Sequence, residues 1–456
     1  MNAFPEARAC PPAGRRTAAL ALLSLLQFLI ALDVTVVNVA LPSVGAQFHA
    51  PAASLSWVVT GYTLVGGGLL LLGGRVTDLL GRRRMFLLGT GLFALASLAA
   101  GLAPGLPTLI GARFAQGAGE ALASPAAMSL IALLFPEPAE RARALGIWGA
   151  ISAGGLVAGG LLSGVLTELL HWRWIFGINV PLAAAVLLST PKLVPADGPR
   201  TRAGRLDLPG AALLTAGPLS LVYGALESAP WAIVAGVVLL AAFVAVEART
   251  RNPLVPLSFF THRTRAVANA ATVLLSAALS TAFFLLMLYM QEVNGLSPLQ
   301  AGLAFLPFCG VLFLAISLVS RLIGVLGLTR TALVGLAFTA TGLAWLARLP
   351  DRGTYAVDVL PGMVGVAVGM GIGLLALQNA ALHGVTEADA GTAAGIQRSV
   401  DQLGGSLGLA VLVGVSVGST SAGGADGFRS AFLYALIGVT AAAGLLLAVR
   451  DGTSEQ

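Results

Sequence analysis

The chain has 456 residues, of which 57% are hydrophobic and only 10% charged, with a mean hydropathy of +0.89. Soluble domains carry roughly 25% charged residues, so this composition excludes a soluble globular protein and describes an all-α integral membrane protein. The formal charge of +6 is no sign of a nucleic-acid partner, because the basic residues follow membrane topology, as the spans below make clear. Two cysteines, Cys10 in the N-terminal tail and Cys309 in an apolar run, form no disulfide framework and no metal-ligand spacing.

A spanning helix needs about 20 apolar residues. Arg15-Arg16 ahead of an apolar stretch has the look of a leader, but the run from Thr17 continues to about Val39 without a small-residue cleavage site. The first span is therefore expected at 17–39. Further spans are expected at 54–73, 85–103, 108–134, 142–166, 173–190, 208–226, 231–247, 266–290, 300–320, 329–348, 357–378, 393–417 and 429–449, about fourteen in all. Connections such as "APGLP" (103–107) and "ESAP" (227–230) hold only a turn, and no segment is large enough for a soluble domain.

Lys and Arg concentrate on the cytoplasmic side of membranes. With the N-terminus inside, Arg173, Arg348, Arg352 and Arg429 fall outside, Arg113 and Arg398 fall within spans, and the other twenty of the 26 basic residues fall inside. Those inner residues include Arg8, Arg200, Arg202 and Arg205. The asymmetry predicts an even span count, cytoplasmic termini and a multi-pass protein of the plasma membrane. Two polar stretches, "PKLVPADGPRTRAGRLDLPG" (191–210) and "EARTRNPLVPLSFFTHRTRA" (247–266), divide the chain. The expected organisation is a tail (1–16), six helices (17–190), linkers with two extra helices (191–265), six helices (266–449) and a tail (450–456). Two six-helix halves are the plan of major facilitator transporters.

The loop after the second span reads "GGRVTDLLGRRRM" (73–85). Gly74, Asp78 and Gly81 followed by Arg82 resemble the loop signature of the major facilitator superfamily, in which the acid and the arginine form a cytoplasmic gating latch. "LDVTVVNVALP" (32–42) resembles the first-helix signature of the fourteen-helix drug:proton antiporters of the EmrB/QacA type. "LIGARFAQGAGEAL" (109–122) is similar to the fourth-helix motif, with Arg113, Gln116 and Gly117 in place. "WRWIFGINVP" (172–181), "YMQEVNGLSPLQAGLAFLP" (289–307) and "DQLGGSLGLAVL" (401–412) resemble the sixth helix, the ninth-to-tenth junction and the thirteenth helix. In "GLVAGG" (155–160) the helix-five glycines Gly155, Gly159 and Gly160 are kept, while Leu156 replaces a proline. Glu120 replaces a small residue, and Arg398 and Asp401 stand where the resemblance leads one to expect Asn and Arg.

Five ionisable residues lie within the expected spans: Asp33, Arg113, Glu120, Arg398 and Asp401. An Asp at bilayer depth costs about 2.5–3.5 kcal/mol on insertion scales. Counted at 1.5 Å per residue, Asp33 and Arg113 each lie about 9 Å below the outer edge, and the resemblance puts their helices on the central cavity. Contact between the two is expected, either as a proton-coupling site or as a static ion pair. Glu120, two turns deeper, is either a second proton site or contact for cationic substrates, or a neutral packing acid. Arg398 and Asp401, spaced i,i+3, can pair within one helix.

Trp57 and Tyr62 offer ring faces, and Asn38, Gln378 and Asn379 offer amides, to a substrate in the cavity. Each of them serves equally as an interfacial anchor or a helix–helix hydrogen bond. "GMVGVAVGMGIG" (362–373) is not followed by the Lys-Ser/Thr of a phosphate loop. No cofactor is expected, and a proton gradient is the energy source to expect. The four histidines, His49, His171, His262 and His383, all map to loops without metal spacing, so neither metal nor enzyme chemistry is expected. The resemblance implies a proton-coupled exporter of amphipathic drugs or antibiotics, acting as a monomer on small molecules and protons within a lipid bilayer. The alternative is a carrier of the same fold for a specific metabolite or siderophore.

Overall fold

The computed structural model describes residues 12–197, 206–351, 353–386, 389–418 and 425–451. Arg8, Cys10, Arg200, Arg202, Arg205 and Arg352 lie outside the described residues. Among the described residues the chain is helical throughout, as it must be where lipid offers no partner to backbone N–H and C=O groups. The helices are α1 (Ala13–Phe48), α2 (Ala52–Leu80), α3 (Arg82–Gly101), α4 (Leu106–Leu134), α5 (Pro138–Leu169) and α6 (Trp174–Leu193). They continue with α7 (Leu208–Leu226), α8 (Pro230–Glu247), α9 (Arg263–Val293), α10 (Pro298–Leu326), α11 (Leu328–Leu346), α12 (Tyr355–Ala381), α13 (Ala390–Gly418) and α14 (Asp426–Asp451).

Local sequence explains where they start and stop. Proline occupies the first turn of α4, α5, α7 and α8, where its missing N–H leaves no intrahelical bond unmade. Gly81 (φ +108°) joins α2 to α3 and Gly327 (φ +78°) joins α10 to α11. Both conformations are open to glycine and strained for other residues, so each pair of helices reverses direction across one residue. Helices occupy all fourteen expected positions, and several outrun the apolar windows: α1 continues past Val39 to Phe48. Among the described residues twelve are long and apolar enough to cross a membrane. The other two long helices, α11 and α13, are interrupted by polar residues such as Arg330 and Thr331, and Gln397, Arg398, Asp401 and Gln402.

Lipid tails are as apolar as leucine, so helices in a bilayer associate through close van der Waals packing of small residues. At the α2–α4 crossing a methyl group on Gly73 would overlap the Ala121 carbonyl, and one on Gly117 would overlap the Tyr62 carbonyl. In the α1–α5 crossing a methyl on Gly155 would sit 2.6 Å from the Phe28 oxygen, and one on Gly159 would overlap Thr35. α7 and α8 pack on each other, and α7 also lies against α2, where Gly68 faces Thr215, and against α13, where Gly414 faces Ala225. The outer face of α8, with Val234, Val237 and Val238, is exposed. Replacing Gly73 by Leu should cost about 1–3 kcal/mol through overpacking and lower the thermal midpoint of the purified protein. Gly91→Leu, where an added Cβ would meet nothing within 4 Å among the described residues, should leave it unchanged; equal midpoints would show that the crossing is not tight.

Candidate functional site

Asp33 on α1 is fully buried, and so is Arg113 on α4. The guanidinium Nη1 donates directly to Asp33 Oδ2. Asp33 Oδ1 accepts from the amides of Gln116 and Asn179, both at 3.1 Å. Arg113 also donates to the Val58 carbonyl at 2.8 Å and to Gln116 Oε1 at 2.9 Å, while Gln116 reaches Ser97 at 2.9 Å. The Tyr62 ring lies under the guanidinium, 4.4 Å from its centroid. Donors thus converge on one carboxylate from α4 and α6, and the shell extends to α2 and α3. Buried charges survive when paired and hydrogen-bonded in this way.

A cavity of about 710 Å³ lies between α1, α2 and α5 on one side and α9, α10, α12 and α13 on the other. That volume suits a drug-sized molecule. Its wall is mainly apolar, with polar points at Asn38, Thr63, Ser276, Gln378, Arg398 and Asp401. Asn38 and Gln378, assigned to a cavity from the sequence, line this one. Trp57, Tyr62 and Asn379 do not. The face of Tyr62 that the sequence offers to a cationic ligand is taken by the protein's own Arg113. Trp57 packs edge-on to Phe114, with centroids 6.2 Å apart, and Asn379 is exposed and donates to Leu375 of its own helix at 2.8 Å. Asp33 and Arg113 sit behind the wall.

Glu120 on α4 is buried beside the cavity and meets α13: its Oε1 accepts from Gln402 at 3.0 Å and lies 3.9 Å from Arg398. Arg398 is also 3.7 Å from Asp401 Oδ2, and Asp401 Oδ1 accepts the Ser276 hydroxyl at 2.6 Å. Thr63 of α2 and Ser406 of α13 share a further hydrogen bond. Residues that sequence reasoning gives no role here are Ser97, Asn179, Ser276 and Gln402; their polarity within apolar runs is the signal that could have found them. At the helix-five motif Gly155 and Gly159 face α1, the Gly160 carbonyl faces Gly302, and Leu156 lines the cavity.

At the other loop signature Asp78 is exposed and forms no ion pair among the described residues, nor does Arg82. Gly74 is near Pro125 of α4, and Arg75 donates to the Pro253 carbonyl at 2.7 Å. The acid that engages this turn is Asp197, from the linker after α6. Its oxygens accept the backbone N–H groups of Arg83 at 2.9 Å and Arg84 at 3.1 Å, capping the positive end of α3.

The chain belongs to the Major Facilitator Superfamily: the family's model matches residues 23–409. Among similar proteins, the lincomycin resistance protein of Streptomyces lincolnensis is 51% identical over 444 residues, covering 95% of this chain and 91% of that protein. The puromycin resistance protein pur8 of Streptomyces alboniger is 41% identical, covering 92% and 86%. The cephamycin export protein CmcT of Amycolatopsis lactamdurans is 39% identical, covering 89% and 86%. Of solved structures, the nucleoside transporter NupG superposes with a TM-score of 0.69 over 95% of this chain and 99% of its own, at 13% identity, a likeness of fold alone.

Asp33→Asn should destabilise the protein by about 3–5 kcal/mol, the cost of leaving a buried guanidinium without its counter-ion. The double variant Asp33→Asn/Arg113→Gln should recover part of that loss in unfolding titrations in mixed micelles; no recovery would mean the two charges are not coupled. Asp197→Ala should cost about 0.5–2 kcal/mol, visible as faster amide exchange in the first turn of α3, with Asp197→Asn in between.

Proposed function

We propose that this chain is a proton-coupled secondary transporter that exports antibiotics or related amphipathic small molecules across the plasma membrane by alternating access. One arrangement carries the reading: an apolar, drug-sized cavity between two sets of helices, with the buried Asp33–Arg113 pair behind its wall. The resistance and export proteins to which the chain is similar support it. In this reading all fourteen helices span, α11 and α13 included: Thr331 and Thr339 of α11 are buried against protein, Arg330 sits in its first turn, and the polar residues Gln397, Arg398, Asp401 and Gln402 of α13 face protein or cavity. Residues 17–190 and 266–449 form two six-helix halves, 191–265 supplies two extra helices, and both termini are cytoplasmic. The chain works as a monomer, since one copy encloses the cavity.

Asp33 is the proton carrier. Three side-chain donors already point at its carboxylate, so in this reading a movement of α1, α4 or α6 that withdraws a donor favours loading the proton. That ties protonation to conformation. Arg113 holds the unprotonated state, and Glu120 is a second acid whose Oε2 lacks a hydrogen-bond partner among the described residues. Asp78 and Arg82 form the cytoplasmic latch in another state of the cycle, with Gly74 and Gly81 permitting close approach. Gly155, Gly159 and Gly160 keep α5 close to its neighbours while it moves.

Everted vesicles turn export into uptake. Vesicles containing the wild-type protein should accumulate radiolabelled lincomycin or puromycin under an imposed proton gradient, and collapsing the gradient should abolish the signal. Asp33→Asn, verified as inserted, should lose gradient-driven accumulation at least tenfold, and Asp33→Glu should retain part of it. Accumulation that persists without a gradient, or is unchanged in Asp33→Asn, would overturn the assignment of Asp33. If no compound of this class moves, the export reading falls to a carrier of a specific metabolite.

A further inference from the structure

Three residues that depart from the antiporter pattern in the sequence, Glu120, Arg398 and Asp401, meet at one place in the fold. Arg398 lies between the two acids, 3.9 Å from Glu120 Oε1 and 3.7 Å from Asp401 Oδ2. The three are unequally presented to the cavity. Arg398 is 46% exposed, Asp401 17% and Glu120 2%. The carboxylates are also occupied: Asp401 by the Ser276 hydroxyl and Glu120 by the Gln402 amide. Arg398 makes no hydrogen bond among the described residues. A molecule entering the cavity therefore meets a guanidinium first, with its N–H donors unspent.

From this we infer that Arg398 is the docking group of the cavity, and that the ligand class it selects is an apolar body carrying an uncharged hydrogen-bond acceptor. Amide, ester, sulfonyl and hydroxyl oxygens are the groups that fit. The inference rests on the cavity being the substrate site and deepens that reading. A guanidinium has five donors and no acceptor, so an acceptor oxygen is its natural partner. The two nearby carboxylates outnumber it, two negative charges against one positive, which removes the long-range pull on an anion and leaves the directional contact. A quaternary ammonium group offers no acceptor for these donors, and of the two acids only Asp401 lines the cavity, with Oδ1 taken by the Ser276 hydroxyl and Oδ2 beside Arg398. Selection is therefore by hydrogen-bond polarity, in a wall otherwise built from groups such as Phe283, Phe308 and Leu312.

The test uses purified full-length protein in lipid nanodiscs, with empty nanodiscs as blank, titrated with two fluorescent probes. Dansyl amide is neutral and presents sulfonyl oxygens; its counterpart with a trimethylammoniomethyl group in place of the sulfonamide keeps the dimethylaminonaphthalene ring and carries a permanent positive charge without those oxygens. Wild type should bind dansyl amide at least tenfold more tightly than the cationic probe. Arg398→Met should weaken dansyl amide by about tenfold or more, the scale of a hydrogen bond to a charged donor, while Arg398→Lys should stay within about threefold of wild type. Arg398→Met leaves two acids without a cation, so thermal melting accompanies each titration. If that variant fails to fold, Glu120→Gln/Arg398→Met, with one acid neutralised as well, takes its place with the same expected loss.

Dansyl amide binding unchanged on loss of Arg398, preference for the cationic probe, or saturable binding of neither probe would each overturn the inference. Binding needs no proton gradient. Arg398-dependent binding without gradient-driven transport would thus remove the exporter reading and keep this one, and the converse result would remove this one alone.

Discussion

The structure turns on one carboxylate in the wrong solvent. Asp33 is fully buried in a helix rich in Leu, Val and Ala, and an isolated charge there would cost far more than a folded protein can spare. Its neighbours remove that cost by arriving from different helices: Arg113 and Gln116 from α4 and Asn179 from α6, with Val58 of α2 and Ser97 of α3 holding the guanidinium and the amide in place. Five helices are thus registered to one another by a single buried group. The glycine crossings that let α2 approach α4 set the distance at which this network can close. A larger residue at Gly117 would push α2 outward and lengthen the Arg113–Val58 contact as well as crowding Tyr62.

A second polar seam differs in character. Glu120–Gln402 and Thr63–Ser406 join α4 and α2 to α13 across the chain's midpoint. These contacts are few and leave Glu120 Oε2 and Gln402 Oε1 without partners among the described residues. The Asp33 shell gives each carboxylate oxygen a donor, with Asn179 Oδ1 and Tyr62 Oη its unpartnered atoms among the described residues. The α13 seam is sparsely satisfied and suits surfaces that part and rejoin, because fewer bonds must be broken and the freed groups border a cavity.

The sequence carries the helices clearly and the polar partnerships unevenly. Apolar run length locates the helices, twelve of which, among the described residues, are long and apolar enough to cross a membrane, since a backbone in lipid has no other way to satisfy itself. Depth counting brings Asp33 and Arg113 together although it takes α1 to end near Val39, whereas the helix runs on to Phe48 and Asp33 lies well inside it. It does not reveal that Glu120 meets Gln402, 282 positions away, since periodicity fixes a face but not its neighbour. Tyr62 is misread for a related reason: an aromatic ring in a span attracts a cation, and the cation was already in the chain. Asp197 is hidden differently. It sits in a polar linker whose arginines dominate the reading, and only the folded chain brings it to the start of α3.

The hairpin of α7 and α8 constrains how this molecule can move. α7 touches α2 at Gly68 and α13 at Gly414, so it straddles the line along which those two helices meet. A rotation that parted α2 from α13 would strip α7 from one of them and expose the surface beneath to lipid. A rotation about an axis running along that line leaves both contacts nearly still and swings open the far side, where α5 faces α10. The hairpin then behaves as the spine of a book whose covers are the helices on either side of that line.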